Sequence, residues 1–424
     1  MGNIKQKRRR NRQKKFILGL GISFAILVAL VVGIYYLTPE NDEGEIVDNN
    51  SQMQTESAFI TETTEMVEET EVVIEEPDTM QIVMVGDMLM HVPVIESGLQ
   101  EDGSYNFDHV FANVKDTIEG ADFAIANQET IFAGSEFAYT GYPCFNTPSE
   151  LAHAEEKAGF DLLLLATNHT MDKGGKGVTN CMTYLDENLP ELDYIGINHS
   201  QEEQDERIYT YEANGIRVAV LNYTYGTNGI ALPSGKPYLV NLLNVDKVRA
   251  DIQKAEEIAD FTIVCPHWGT EYRLTPDSSQ EKWTNIFLEE GVDLVLGTHP
   301  HVIEPIEWVT DEEGNEMLVY YSVGNFINGT SGTGHGVTNR MIGGIADVTL
   351  ERNKESGKVE IIDYGVIPII CHIGEKTEYT VYYMEDYTEE MASENRILSQ
   401  DGEFSKALCE SVVEEVWGDV YLVE

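Results

Sequence analysis

The feature that most constrains the fold is a series of short apolar runs separated by helical patterns. Seven runs occur, at residues 81–85, 123–126, 162–166, 218–222, 261–265, 292–296 and 318–322. Runs of this length without polar alternation are typical of strands that are buried on both faces. Two later segments, residues 343–350 and 359–364, predict antiparallel strands with no helix between them. The pattern therefore predicts an α/β protein with a mixed sheet.

Two segments between the runs carry signals for the start and the end of a helix. The stretch from Thr147 to Glu150 combines a capping box with a proline, and it predicts a helix that ends at Gly159. Thr275, which precedes a proline, predicts the start of a second helix that ends at Gly291.

Polar side chains follow five of the strands at the point where each strand ends. They are Asp87, Asn127, Glu129, Asn168, His169, His267, His299 and His301. One such residue alone is more often a helix cap or a turn residue, but the repetition at five strand ends favours a site, because sites in open α/β sheets are built at the carboxyl ends of strands. Carboxylate, amide and imidazole donors together suit zinc, manganese or iron(II). The sequence therefore predicts a divalent metal site.

The charge of the chain excludes one class of partner. Against 27 Lys and Arg residues stand 74 Asp and Glu residues, which gives a net charge of −47. A protein that binds nucleic acid neutralises phosphates with basic side chains, so we expect no DNA or RNA partner. The five cysteines include no C-x-x-C pair, which excludes a cysteine zinc knuckle, and we interpret them as small buried residues.

The basic residues are concentrated at the N-terminus and predict a membrane anchor. Eight of them lie in residues 1–15, which we interpret as a cytoplasmic tail. The next 22 residues, 16–37, carry no charge and predict one transmembrane helix, whose basic flank keeps the N-terminus in the cytoplasm. Residues 38–80 contain 14 acidic and no basic side chains and are expected to be a disordered extracytoplasmic stalk. A cleaved signal peptide is the alternative for residues 16–37.

Six ordered motifs carry a family resemblance. They are GDMLMH, ANQET, ATNHTMDKGGKG, PHWGTEY, GTHPHV and YYSVGNFI. In order and spacing they resemble the CapA family of poly-γ-glutamate capsule synthesis proteins, which is similar in fold to the calcineurin-like metallophosphatases. The resemblance implies a metallophosphatase-like two-sheet α/β/β/α sandwich over residues 81–375, preceded here by the transmembrane helix. Residues 376–424 are interpreted as an acidic C-terminal extension.

The resemblance also implies roles for individual residues. His169 corresponds to the general acid, Asp172 to a residue that orients it, and Glu129 to the carboxylate that bridges two metals. Arg340 and Arg273 are candidates to bind a carboxylate or phosphate of the substrate, because a guanidinium binds either in bidentate fashion. The implied metal ligands are Asp87, Glu129, Asn168, His267, His299 and His301.

Two positions depart from the metallophosphatase pattern. Leu89 stands where the pattern has the histidine of an Asp-x-His motif, so the expected cofactor is either one or two divalent ions, unless His91 replaces that ligand. Thr298 precedes His299 at a position where relatives often carry another histidine.

The predicted function is that of a single-pass cell-membrane protein with an extracytoplasmic domain, acting in the biosynthesis of a poly-γ-glutamate-type capsule or another envelope polymer. The resemblance implies a metal-dependent hydrolase centre. Expected partners are an anionic envelope polymer or its precursor, and membrane subunits of a polymer synthase. Two alternatives stay open: a metallophosphodiesterase or phosphatase that acts on an envelope polymer, and a non-catalytic scaffold subunit of a polymer synthase.

Overall fold

The computed structural model describes residues 78–330, 332–374 and 378–420. The predicted tail, the predicted membrane helix and the predicted stalk up to residue 77 lie outside the described residues. Within the described part, no helix is both long enough and apolar enough to cross a membrane.

The described strands fall within two sheets. They are β1 (Thr79–Met88), β2 (Phe123–Asn127), β3 (Leu162–Leu164), β4 (Asp193–Ile195), β5 (Tyr209–Ala213), β6 (Ile216–Thr224), β7 (Phe261–His267), β8 (Leu294–Leu296), β9 (Ile306–Thr310), β10 (Glu316–Tyr320), β11 (Asn325–Ile327), β12 (Ile342–Arg352), β13 (Val359–Ile373) and β14 (Tyr379–Tyr383). Each of the seven apolar runs overlaps one of these strands, so the strand predictions are confirmed.

Helices occupy much of the sequence between the strands. They are α1 (Val92–Ser97), α2 (Asp108–Phe111), α3 (Lys115–Gly120), α4 (Glu150–Ala158), α5 (Gly174–Asn188), α6 (Gln201–Glu206), α7 (Val245–Ile258), α8 (Ser278–Glu289), α9 (Glu389–Glu394) and α10 (Lys406–Trp417). Short 3₁₀ helices lie at Thr338–Met341, Arg396–Ser399 and Gly418–Val420.

The first sheet has the strand order β14-β13-β12-β1-β2-β3-β4, and β11 pairs with β1. Strands β1, β2, β3 and β4 are parallel, whereas β12 is antiparallel to both β1 and β13. The prediction of a mixed sheet is therefore confirmed, and so is the prediction that residues 343–350 and 359–364 are antiparallel neighbours. The carboxyl ends of β1, β2 and β3 lie at one edge of this sheet.

The second sheet has the order β5-β6-β7-β8-β10-β9 and is parallel from β6 to β10. Val218 and Val220 of β6 belong to the core shared with the first sheet. The alternate residues Ala219 and Leu221 belong to a second core that includes α7 and α8. Each face of β6 is thus buried against a different layer, which explains why its sequence is apolar without alternation. The predicted two-sheet α/β fold is confirmed.

The helix ends agree with the sequence, but the starts differ. Gly159 and Gly291 follow α4 and α8 with φ of 111° and 93°, a conformation that glycine adopts without strain. The capping box expected at Thr147 is wrong, because the Thr147 hydroxyl bonds the Thr130 hydroxyl at 2.7 Å and α4 begins after Ser149. Helix α8 has a capping box, but Asp277 forms it rather than Thr275.

Two predicted segment boundaries fall inside folded elements. Strand β1 begins at Thr79, where it pairs with Glu351 of β12, although the stalk was expected to continue to residue 80. The predicted C-terminal extension supplies β14, which pairs with β13 in the first sheet. It also supplies Trp417, whose buried indole Nε1 donates to the Glu304 carbonyl at 2.9 Å. These contacts place the described C-terminal residues in the same folded unit as the sheets.

Glu304 gives a test of this packing. Its buried carboxyl accepts a hydrogen bond from Gln280 Nε2 at 2.6 Å, and burial raises its pKa to about 8. The folded state therefore favours the neutral carboxyl, and stability is lost as the pH rises from the unfolded value of about 4 to the folded value. We expect Glu304→Gln, which cannot ionise, to gain a few kcal/mol relative to the wild type between about pH 5 and pH 8. Urea unfolding in chelator measures this difference, and a pH-independent difference would contradict the account.

Candidate metal centre

Strand ends from both sheets meet at one position in the molecule. Asp87 lies near the end of β1, and Glu129 follows β2 by two residues. His267 ends β7, while His299 and His301 follow β8. The two sheets contact each other here, because the backbone N–H of His299 lies 3.3 Å from Asp87 Oδ1.

The carboxylate of Glu129 lies at the centre of this group. Its side chain is buried, and neither of its oxygens accepts a hydrogen bond from any described residue. Oε1 lies 3.7 Å from the Nε2 atoms of both His267 and His301, and 3.9 Å from that of His169. Ligand atoms of Glu129, His299 and His301 lie within 4.8 Å of one another. Two ligands that each lie about 2 Å from one metal are separated by distances of about 3–4 Å, so this spacing is compatible with coordination.

His301 connects Glu129 to Asp87. Its Nδ1 lies 3.0 Å from Asp87 Oδ2 and 3.1 Å from Asn325 Oδ1, so this nitrogen donates its proton. The Nε2 atom then directs either a lone pair or a second proton at Glu129. Burial opposes a charge on the ring, but Glu129 and Asp87 outweigh it and raise the pKa of His301 to about 10. In this structure a proton balances the carboxylates, and a bound cation would take over that role.

His267 approaches Glu129 from the second sheet. Its Nδ1 lies 3.1 Å from Thr298 Oγ1, and its Nε2 lies 3.0 Å from Asn168 Oδ1. Burial lowers the pKa of His267 well below its usual value, so the ring is neutral and has one N–H for these two oxygens. If Nδ1 donates to Thr298, the lone pair of Nε2 faces the oxygens of Asn168 and Glu129. A cation is the group that satisfies all three acceptors.

The backbone of the loop after β8 is held in an unusual conformation. His299 and His301 have φ of 100° and 59°, in the left-handed region that residues other than glycine rarely adopt. His299 Nδ1 is buried and has no hydrogen-bond partner among the described residues, and burial lowers its pKa well below the usual value. The ring is therefore neutral with an unbonded nitrogen, as a metal ligand requires.

His169 and Asp172 form a pair at the edge of the centre. His169 Nδ1 lies 2.8 Å from Asp172 Oδ2, which also accepts the backbone N–H of Phe145. The Phe145 ring contacts the His169 ring edge-to-face, with the ring centroids 4.7 Å apart. Asp172 and Phe145 together fix the orientation of the imidazole and direct Nε2 toward Glu129.

The residues around the two departures from the expected pattern have other partners. Leu89 is buried, and its N–H donates to the Ile327 carbonyl at 2.9 Å. His91 Nδ1 lies 3.3 Å from the Gly329 N–H, and burial lowers the pKa of the ring to about 4. Among the described residues, the cluster of converging ligand atoms does not include His91.

The two arginine candidates are in different surroundings. Arg340 is partly buried and stacks on Tyr272, whose backbone N–H donates to the carbonyl of Pro300 between the two loop histidines. Arg273 is exposed, and its Nη2 makes two contacts of 3.4 Å, with Thr275 Oγ1 and the Pro276 carbonyl. The structure thus brings Arg340, but not Arg273, into contact with the residues around the centre.

Two residues of the site were not anticipated from the sequence. Asn325 bonds His301 through both its side chain and the His301 carbonyl, which accepts from Asn325 Nδ2 at 3.0 Å. Thr298 orients His267, although the sequence comparison marked it as a missing histidine. The YYSVGNFI motif contains Asn325, so its position after a buried strand was the available signal.

These observations define a two-sheet α/β protein with a buried cluster of carboxylate and imidazole ligands at the strand ends. A family model described as bacterial capsule synthesis protein PGA_cap matches residues 81–330. The chain belongs to this family, as its motifs indicated.

Two curated relatives carry capsule-related names. The chain is 28% identical over 262 residues to the capsule biosynthesis protein CapA of Bacillus anthracis, covering 59% of this chain and 60% of that protein. It is 26% identical over 260 residues to the PGA biosynthesis protein CapA of Bacillus subtilis (strain 168), covering 59% of this chain and 63% of that protein. The chain thus matches less than two thirds of the length of each relative.

Solved structures with a similar chain course include two nucleotidases. The NAD nucleotidase NadN of Haemophilus influenzae has 11% identity and a TM-score of 0.45, covering 82% of this chain and 64% of that chain. A 5'-nucleotidase precursor of Thermus thermophilus has 14% identity and a TM-score of 0.42, covering 69% of this chain and 54% of that chain.

The buried carboxylate of Glu129 predicts a trade between stability and metal binding. Without metal, Glu129→Gln removes a buried charge, so we expect the variant to be at least as stable as the wild type in chelator. Adding Mn²⁺ or Zn²⁺ at about 100 times Kd should stabilise the wild type by about 2.7 kcal/mol and the variant by much less. Thermal unfolding with and without metal measures both effects.

Glu155 provides the matched control. It is also buried and also lacks hydrogen-bond partners for both oxygens among the described residues, but it lies on α4, outside the ligand cluster. Glu155→Gln should keep the full stabilisation by metal. Equal metal responses in Glu129→Gln and the wild type would contradict the assignment of Glu129.

Proposed function

We propose that this protein is a metal-dependent hydrolase of capsule or cell-envelope polymer biosynthesis. The observation that carries the proposal is the buried Glu129 carboxylate, which faces three imidazole Nε2 atoms and accepts no hydrogen bond from a described residue. A polar arrangement with this cost persists in a fold when it serves a purpose, and its donor types suit a divalent cation. The family match and the names of the two relatives support the role in capsule synthesis.

The proposed ligands fall into two groups that share Glu129. Asp87 and His301 lie on one side of it, and Asn168, His267 and His299 on the other. A divalent metal bound here lowers the pKa of a water molecule and polarises a substrate oxygen. With Leu89 in place of a histidine, the Asp87 side has fewer imidazoles, so we propose one firmly held ion on the side of His267.

His169 is proposed to deliver a proton to the leaving group. Asp172 accepts the proton on Nδ1, which leaves Nε2 as the nitrogen that faces the centre. Phe145 covers one side of the ring and limits its rotation. The ring is therefore positioned to transfer a proton from Nε2 to an oxygen or nitrogen that leaves near Glu129.

The proposed location rests on the sequence of residues 1–77. The basic tail and the uncharged stretch at 16–37 support an N-in membrane anchor with the two-sheet domain outside the cell. At this location the domain would meet an anionic envelope polymer or its precursor, together with membrane subunits of a polymer synthase.

Replacement of His169 tests the proposed chemistry. His169→Ala should retain metal and the wild-type melting temperature but should lower polymer output and model-substrate turnover by about 10²–10⁴-fold. His153→Ala is the control, because His153 is a histidine that bonds the Tyr184 hydroxyl away from the centre. Capsule polymer in a complemented deletion strain and hydrolysis by purified protein are the two readouts.

Other outcomes favour the alternative functions. Wild-type polymer output from a Glu129→Ala strain would contradict the hydrolase and favour a scaffold. Turnover of phosphodiester substrates that depends on His169, together with unchanged polymer, would favour a phosphodiesterase with another role.

Deletion of residues 16–37 tests the proposed anchor. We expect the deleted protein to leave the membrane fraction, because the span supplies the apolar area that holds the chain in the bilayer. Immunoblots of fractionated cells measure this distribution. Retention of the deletion variant in the membrane fraction would contradict the anchor.

A further inference from the structure

A cation lies at the edge of the centre without an acidic partner. The guanidinium of Arg340 stacks on the ring of Tyr272, with Cζ 3.7 Å from the ring centroid. Its Nη1 donates to Thr330 Oγ1 at 3.0 Å, and no described carboxylate forms an ion pair with it. In a chain with a net charge of −47, an arginine without such a pair requires an explanation.

The stack is connected to the ligand loop by two independent contacts. The N–H of Tyr272 donates to the Pro300 carbonyl at 2.7 Å. Asn325 Nδ2 donates to the Arg340 carbonyl at 2.9 Å, while Asn325 Oδ1 lies 3.1 Å from His301 Nδ1. Both members of the stack are thus held next to His301, so a group bound by Arg340 would lie beside the metal ligands.

The surroundings of the guanidinium are arranged to hold it flat. Gly332 leaves the space it occupies, because a Cβ at that position would lie 2.7 Å from Nη1 and 3.2 Å from Cζ of Arg340. The Tyr272 ring supports the guanidinium through a cation–π contact. A side chain held in this way loses little conformational entropy when it binds a ligand.

The hydrogen-bonding capacity of Arg340 is largely unused. Of its N–H groups, only one on Nη1 has an acceptor among the described residues, and Nε is buried without a partner. The Nε–Nη2 edge of a guanidinium is a fork that matches the two oxygens of a carboxylate. One guanidinium balances one negative charge, which favours a carboxylate over a dianionic phosphate ester.

We infer that Arg340, backed by Tyr272, forms a subsite that binds a carboxylate of the substrate and so positions the bond to be cleaved at the metal centre. The substrate class is an acid-substituted polymer or oligomer in which a free carboxylate lies close to the cleaved linkage. This inference rests on the proposed function and adds the substrate chemistry to it. Arg340 is a substrate-binding residue in this account, and Tyr272 is a positioning residue.

Binding to a matched pair of ligands tests the subsite without requiring turnover. The full-length protein, purified in detergent and loaded with Mn²⁺, is titrated by calorimetry with tri-γ-glutamate and with its α-carboxamide analogue. We expect the acid to bind the wild type at least about tenfold more tightly than the amide, since a charge-assisted bidentate pair contributes about 1.5–3 kcal/mol.

Variants separate the subsite from general effects. Arg340→Gln should remove the preference for the acid and leave the weak binding of the amide and the metal content unchanged. Tyr272→Ala, at an exposed position, should weaken acid binding several-fold, whereas Tyr272→Phe should bind as the wild type does. Arg273→Gln is the arginine control and should have no effect, because Arg273 contacts only Thr275 and Pro276 at 3.4 Å.

Three results would overturn the inference. The first is equal binding of the acid by Arg340→Gln and the wild type, and the second is equal binding of acid and amide by the wild type. The third is a loss of p-nitrophenyl phosphate binding in Arg340→Gln without any change for the acid, which would assign the arginine to phosphate. Metal content and His169-dependent turnover, measured on the same preparations, report separately on the proposed function.

Discussion

The structure depends on a carboxylate that is buried without hydrogen-bond donors. Moving an ion the size of Glu129 out of water costs several kcal/mol, and the facing imidazoles repay this cost only when a proton or a cation lies between them. The left-handed backbone at His299 and His301 adds further strain. The two apolar cores and the long β1 and β12 pairing supply the stability that sustains these costs.

The electrostatics of the whole chain limit what can approach this centre. A net charge of −47 repels an anionic polymer at long range, so a polyanion gains little from the protein surface. Local positive charge, from a bound metal and from Arg340, is then required to hold one end or one linkage of such a polymer. This favours action on a short segment of substrate over wrapping of a long chain.

The sequence predicted the parts of the fold that depend on local patterns. Buried apolar runs locate the strands, and the residues after them, such as Glu129 and His267, converge because parallel strands end at one sheet edge. The roles of Thr298 and Asn325 could not be predicted in this way, because a lone threonine or asparagine in a loop has many equally good local explanations. The Arg340–Tyr272 stack joins residues far apart in sequence, and no periodicity reports such a contact. The role of the C-terminal residues in the first sheet was missed because β14 is short and its neighbours are acidic.

The central claim is that Glu129 and the surrounding histidines hold a divalent metal, and elemental analysis of the purified full-length protein tests it most directly. The account predicts about one or two divalent ions per chain after reloading, and a clear reduction in the His299→Ala, His301→Ala double variant. His335→Ala is the control, since His335 lies on the surface in an ion pair with Glu403 at 2.9 Å, and it should retain the wild-type content. A wild-type protein without metal after reloading, or a double variant with undiminished metal, would contradict the account.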